Sequence, residues 1–169
     1  MKEGIFMKNL SVKKLTLAGV MAALVFVMTY VPKVPVPVTN GYVHLGDGAI
    51  FLSMLLLGPL GIPAAAIGSG LSDILGAYMV YAIPTMAIKA LVALIAWKGW
   101  KEGSWLRAVI AFVLAEIAMV AGYFLFESGM YGAAAAWAAV GPNCIQGIAG
   151  VALGLVCHGL YPRLKRIIK

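Results

Sequence analysis

From Val12 to Leu160 the chain is one apolar run after another, separated by short joints of Gly, Pro or basic residues. Hydrophobic residues make up 63% of the 169 and charged ones 11%, with a mean hydropathy of +0.98. A soluble domain carries about 25% charged residues. A chain this apolar, folded in water, would leave large greasy patches exposed, so its solvent has to be lipid. Each bilayer crossing takes roughly 20 apolar residues, so the length allows about six passes and leaves no room for a soluble domain. The expected fold is an all-α membrane protein: one integral-membrane domain over residues 1–169, built as a bundle of six transmembrane helices.

The joints divide the chain. Helix 1 is expected at about Val12–Val31. The stretch PKVPVPVTNGYVHL, Pro32–Leu45, follows, and its prolines forbid a regular helix. A short helix 2 near Asp47–Leu57 ends in the turn GPLGIP. Helix 3 is expected at about Ala64–Ala77, helix 4 at Val80–Trp97 and helix 5 at Trp105–Phe126. Helix 6 covers about Ala133–Leu160, with an interruption near Gly141–Pro142.

The net charge of +7 does not point to nucleic acid, because the cations gather at helix ends. With the N-terminus in the cytoplasm, Lys2, Lys8, Lys13, Lys14, Lys98, Lys101, Arg107, Arg163, Lys165, Arg166 and Lys169 all fall inside. Only Lys33 falls outside, and Lys89 lies within the membrane. This is the positive-inside asymmetry. It puts both termini in the cytoplasm and the Pro-rich loop outside. The basic start resembles a signal peptide, but the run after it is long and lacks a clear cleavage site, so it reads as a retained first helix.

Ionisable residues inside a membrane are costly and usually functional. Here they are Asp73, Lys89 and Glu116, with Asp47 at the rim. Asp73 and Lys89 sit on consecutive helices at depths a lysine stem can bridge, so they are expected to pair, for structure or for function. Helix 4 sets Tyr81, Thr85 and Lys89 four apart on one face, around Pro84. Helix 5 aligns Glu116, Tyr123 and Glu127. Helix 6 sets Asn143 and Gln146 three apart. These three polar stripes at matching depth predict one shared, outward-facing pocket. Asp47, just ahead of an apolar run, reads first as the N-cap of helix 2.

Small residues recur at four-residue spacing: Ala18 and Ala22; Ala64, Gly68, Ser72 and Gly76; Gly150 and Gly154. Such spacing lets helices approach closely in lipid. Phosphate-loop, H-E-x-x-H and G-x-S-x-G motifs are absent from the sequence. His44 and His158 are too far apart along the chain to suggest a shared metal, and Cys144 and Cys157 lie in apolar sequence without ligand spacing, so no metal site is expected.

The runs YVHLGDGAIFLSMLLLGPLG, GSGLSDILGAY and YAIPTMAIKALVAL resemble the substrate-binding membrane subunits (S components) of energy-coupling factor (ECF) transporters. The similarity is nearest the riboflavin, hydroxymethylpyrimidine and pyridoxine subgroup. The resemblance covers about residues 12–165 and is sharpest over Tyr42–Lys89. It implies a six-helix subunit in a bacterial or archaeal cell membrane that binds a vitamin or precursor from outside. That subunit would dock on a transmembrane coupling protein driven by two cytoplasmic ATPases. It also implies that Ala18 and Ala22 match the helix 1 motif that meets the coupling protein. No cofactor is then expected on this chain, since ATP is held by the partner subunits. The loop between helices 1 and 2 would lid the pocket, with Tyr42 and His44 against the bound ring.

The expected ligand contacts are therefore Tyr42, His44, Asp73, Tyr81, Thr85, Lys89, Glu116, Tyr123, Asn143 and Gln146. The inventory is slightly acidic, which favours a hydroxymethylpyrimidine or pyridoxine-like heterocycle, then riboflavin. Riboflavin transporters more often show an LDFSD-like run where this chain has VHLGDG. Two other classes compete. One is a self-sufficient proton-coupled carrier using Asp73, Lys89 or Glu116. The other is an intramembrane enzyme using Asp73 or Glu116 as acid or base, for which the chain shows neither a nucleophile–base pair nor a metal set, so the chain is not read as an enzyme.

Overall fold

The computed structural model describes residues 11–168; Lys2, Lys8 and Lys169 of the charge argument lie outside them. Six α-helices are present: α1 Val12–Tyr30, α2 Gly46–Leu57, α3 Gly61–Leu75, α4 Met79–Gly99, α5 Trp105–Tyr131 and α6 Ala133–Ile168. Two three-residue strands, β1 Val34–Val36 and β2 Gly41–Val43, lie between α1 and α2. They form an antiparallel hairpin in the register Val34↔Val43, Pro35↔Tyr42 and Val36↔Gly41. The Pro-rich segment is thus a strand pair, which suits residues whose backbone cannot enter a helix.

The composition predicts six spans, whereas among the described residues five stretches are long and apolar enough to cross a membrane. The second stretch, residues 46–75, holds both α2 and α3. These two helices double back on each other. A side chain on Gly61, at the start of α3, would strike the Met54 backbone near the end of α2. At the other end, Tyr42 just before α2 is bonded to Asp73 near the end of α3. Gly58, with φ 59°, lies at the reversal, in the backbone region that glycine enters without penalty.

The helices are apolar outside, and their charged and most polar side chains within the bundle are buried. Ile83, Leu106, Leu125 and Ile148 are each at least 70% exposed, whereas Lys89 and Asp47 are fully buried. That inversion fits a multi-pass protein whose outer surface faces acyl chains. On α4 the buried residues include Tyr81, Thr85, Ile88, Lys89, Val92 and Ala96, one stripe at helical spacing. On α5 the corresponding stripe includes Ala108, Phe112, Ala115, Glu116, Met119, Tyr123 and Glu127. Phe51 of α2 stacks on Phe112 of α5 with centroids 4.4 Å apart, at the centre of the apolar core.

The sequence predicts a break in helix 6 near Gly141–Pro142, but α6 runs unbroken through Pro142 and Pro162. In a bundle, neighbouring groups can satisfy the backbone that a proline frees. The small-residue stripe on α3 is internal packing. Ala64, Gly68 and Ser72 are buried, and a side chain on Gly68 would collide with the Ala22 carbonyl of α1.

Candidate ligand-binding site

The β-hairpin folds down over one end of the bundle, where α1, α3 and α5 end and α2, α4 and α6 begin. Tyr42, Tyr81 and the His44 backbone help to fasten it. The Tyr42 hydroxyl donates to Asp73 Oδ1 at 2.5 Å, joining β2 to α3. The Tyr81 hydroxyl is shared between the Thr39 carbonyl at 2.7 Å and Glu127 Oε1 at 3.2 Å, joining the hairpin turn to α4 and α5. The His44 backbone N–H donates to Gln146 Oε1 at 2.9 Å, joining the chain after β2 to α6.

Beneath the hairpin lies a small cavity of about 20 Å³, measured as space open to the centre of a water molecule. Its walls include Tyr42, His44, Asp73, Tyr81, Thr85, Tyr123 and Asn143, together with Val36, Thr39, Gly41, Glu127 and Ala139. Two carboxylate oxygens of these lining residues, Asp73 Oδ2 and Glu127 Oε2, are buried and accept no hydrogen bond. The Thr85 hydroxyl is a weak hydrogen-bonding neighbour of the first carboxylate and the Thr39 hydroxyl of the second. The Thr85 hydroxyl is itself 3.1 Å from the Tyr123 hydroxyl. Buried acceptors without donors cost about 1–3 kcal/mol each, so the two carboxylates, served only by these threonines and by Tyr42 and Tyr81, are under-satisfied acceptors in the cavity wall.

A second polar layer lies one step deeper. The sequence predicts an Asp73–Lys89 pair; the structure instead pairs Lys89 Nζ with Asp47 Oδ1 at 2.6 Å, with no solvent access to the lysine. The reason is the path of the chain. Tyr42 is already level with Asp73, so five residues further on Asp47 has descended to the depth of Lys89. Gln146 completes the layer by donating its Nε2 to Asp47 Oδ2 at 2.7 Å. Asp47 is therefore not the N-cap of α2: that position is Leu45, without a side-chain cap. Glu116 reaches the same layer through a slot in α6, where Gly147 and Gly150 leave room for its side chain. Both of its oxygens are buried without a hydrogen-bond partner.

Two groups on the β2 side of the hairpin have shifted proton affinities. Burial, and next the charge of Lys89, pulls His44 from 6.5 down to about 3. Its Nδ1 accepts the Gly46 N–H at 2.9 Å, which requires a neutral ring with the proton on Nε2. Burial, followed by the Asp73 carboxylate, raises the Tyr42 hydroxyl well above its ordinary range, so it stays a donor.

Of the residues the sequence singles out, the structure brings Tyr42, His44, Asp73, Tyr81, Thr85, Tyr123 and Asn143 to one cavity wall. It sets Lys89, Glu116 and Gln146 outside that wall, in the deeper layer. Glu127 is a lining acid absent from the expected contacts, although it stands four residues beyond Tyr123 on the same stripe. Thr39 and Gly41 carry no signal in the sequence, because it is the hairpin that turns them inward. Ala18 and Ala22 are half-buried, whereas Gly19 and Ala23 are exposed on the outer side of α1. No cluster of three or more His, Cys, Asp or Glu suited to a metal occurs among the described residues.

Helices with apolar outer faces, closed at one end by a hairpin over a polar cavity, define a multi-pass membrane protein with a candidate ligand site. Comparison with known proteins narrows the class. The family model for the ECF-type riboflavin transporter S component matches residues 9–163. The chain belongs to that family, one of transporter subunits and not of enzymes. It is 32% identical over 161 residues to the thiamine precursor transporter HmpT of Lactococcus lactis subsp. cremoris, covering 93% of this chain and 92% of that one. It is 33% identical over 132 residues to an uncharacterized protein from a gap 3′ region of Pyrococcus woesei, covering 77% and 88% of the two chains. A solved structure of the S component of a bacterial ECF transporter superposes with a TM-score of 0.69 at 22% identity, covering 93% of this chain and 98% of that one; this likeness shows the fold.

Proposed function

We propose that this chain is the substrate-specific subunit of an ECF-type importer and that its ligand is an aminopyrimidine thiamine precursor of the hydroxymethylpyrimidine kind. The observation that carries the reading is the pair of unmet carboxylate oxygens, Asp73 Oδ2 and Glu127 Oε2, on residues lining one cavity. An aminopyrimidine supplies amino N–H donors to such acceptors and a flat ring to the faces of Tyr42, Tyr81 and Tyr123. A pyridoxine-like ring is the next best fit. A flavin ring offers these acceptors a single N3–H donor, flanked by two carbonyls, and so matches the two carboxylates less well than an amino group does. The thiamine precursor transporter among the relatives agrees with the choice.

A pocket that buries a small heterocycle needs about 300 Å³ or more, far above the present cavity. Ligand entry on this reading lifts the hairpin, and closure restores the Tyr42–Asp73 and Tyr81–Thr39 bonds. The hairpin end faces outside. The reading is supported by the gathering of Lys13, Lys14, Lys98, Lys101, Arg107, Arg163, Lys165 and Arg166 toward the other end. Both termini are then cytoplasmic. A transmembrane coupling protein docks along α1 at the level of Ala18 and Ala22, and two ATPases bind the ATP that this chain does not.

The test is calorimetric titration of the purified chain with hydroxymethylpyrimidine, pyridoxine and riboflavin. The pyrimidine is expected to bind tightest, and Asp73→Asn with Glu127→Gln to abolish that preference. Riboflavin binding tightest would overturn the substrate and leave the subunit reading standing. Uptake into liposomes by this chain alone, driven by a proton gradient, would overturn the subunit reading in favour of a self-sufficient carrier.

A further inference from the structure

Lys33 is the exception to the charge pattern: among the described residues it is the only Lys or Arg at the hairpin end. It stands three residues after the end of α1 and one before the start of β1. Its ammonium lies 4.2 Å from the ring centre of Tyr42, 4.5 Å from that of Tyr30 and 5.1 Å from that of Tyr78. Nζ also donates to the Ser72 carbonyl at 3.4 Å. The remaining side is left open by Gly76, where a Cβ would collide with Nζ. The three rings come from three places: the last residue of α1, the middle of β2, and the residue before α4. A cation held among them ties the hairpin to the tips of three helices at once.

We propose that Tyr30, Tyr42 and Tyr78, with the Ser72 carbonyl, form a binding site for a primary ammonium whose resident is Lys33, and that its occupancy latches the hairpin over the cavity. Ring faces attract a cation through their quadrupole, most strongly where water is thinned. A carbonyl and the neighbouring Asp73 carboxylate add to the attraction. The site recognises an alkylammonium on any tether, so a free one fits it once Lys33 is cut short. None of this depends on which vitamin fills the cavity below.

The experiment is hydrogen–deuterium exchange on the full chain in lipid nanodiscs, without vitamin, following the hairpin amides against those of α4. Lys33→Met keeps the stem and removes the charge. It is expected to speed hairpin exchange about tenfold, the scale of a partly shielded cation–π contact, with α4 unchanged. In Lys33→Ala, n-propylammonium is expected to slow exchange again, and sodium chloride at equal strength is not. Tyr78→Leu, which keeps Lys33 and spoils the cage, is expected to resemble Lys33→Met. Hairpin exchange unchanged in Lys33→Met, or restored equally by sodium and by propylammonium, would overturn the proposal.

Discussion

Lys89 and Asp47 meet at 2.6 Å with side chains 0% and 1% exposed, and Gln146 takes the second carboxylate oxygen. Removing one partner strands the other charge in the core, which costs about 3–5 kcal/mol. Lys89→Met is therefore expected to lower the unfolding midpoint sharply. Lys89→Met combined with Asp47→Leu is expected to recover much of the loss, because neither member of the pair is left without its counter-charge. Thermal unfolding of the two variants in one detergent checks this; a double variant no more stable than the single would show that the pair does more than neutralise itself.

Asp73 divides its oxygens, one for Tyr42 and one toward the cavity. Asp73→Asn is expected to weaken binding of the pyrimidine at least tenfold, since a charged acceptor gives way to a neutral group. Tyr42→Phe keeps the ring and loses the hydroxyl's bonds to Asp73 and Ser72, which shut the hairpin. Its effect is expected mainly in a faster off-rate, read by stopped-flow mixing with excess competitor.

His44 predicts a pH dependence whose sign follows from its burial. Its folded value of about 3 lies below the unfolded 6.5, so between those values the unfolded chain binds the extra proton. Stability is then full above about pH 6.5 and declines as pH falls through that window, by up to about 1.4 kcal/mol per unit. His44→Gln removes one proton from that slope. Unfolding midpoints at pH 7.5, 6.0 and 5.0 for both proteins measure the difference, and parallel curves would contradict it.

On α1, Ala23 looks outward, whereas Ala22 sits half-buried with its carbonyl against Gly68 of α3. Ala23→Trp is expected to leave vitamin binding by the purified chain intact and to abolish uptake in cells that supply the partner subunits. Ala22→Trp is expected to disturb the α1–α3 contact and lower stability as well. Normal uptake by Ala23→Trp would move the docking face elsewhere.

The helical stretches are legible in the sequence because lipid imposes length and hydropathy at once. The polar stripe of α4 is legible for the same reason: Tyr81, Thr85 and Lys89 stand out against apolar neighbours. What stays hidden is depth. Asp73 and Lys89 look like natural partners on consecutive helices, yet the descent of the chain from Tyr42 to Asp47 brings a different acid to the lysine. Pro142 looks like a break because a proline in isolation is one, and only the surrounding bundle makes it tolerable. The Thr39 and Gly41 contributions depend on strand register, which a run of Pro and Val does not declare.

Helix α3 has 15 residues, a rise of about 22 Å, and it shows Ile67, Leu71, Ile74 and Leu75 to its surroundings. The hydrocarbon layer is about 30 Å thick. On this flank the protein is shorter than the membrane it sits in, whereas α5 and α6, at 27 and 36 residues, are longer than it needs. Mismatch of this kind is met by helix tilt or by local thinning and thickening of the bilayer. The molecule thus carries an uneven hydrophobic edge, short at α3 and long at α5 and α6.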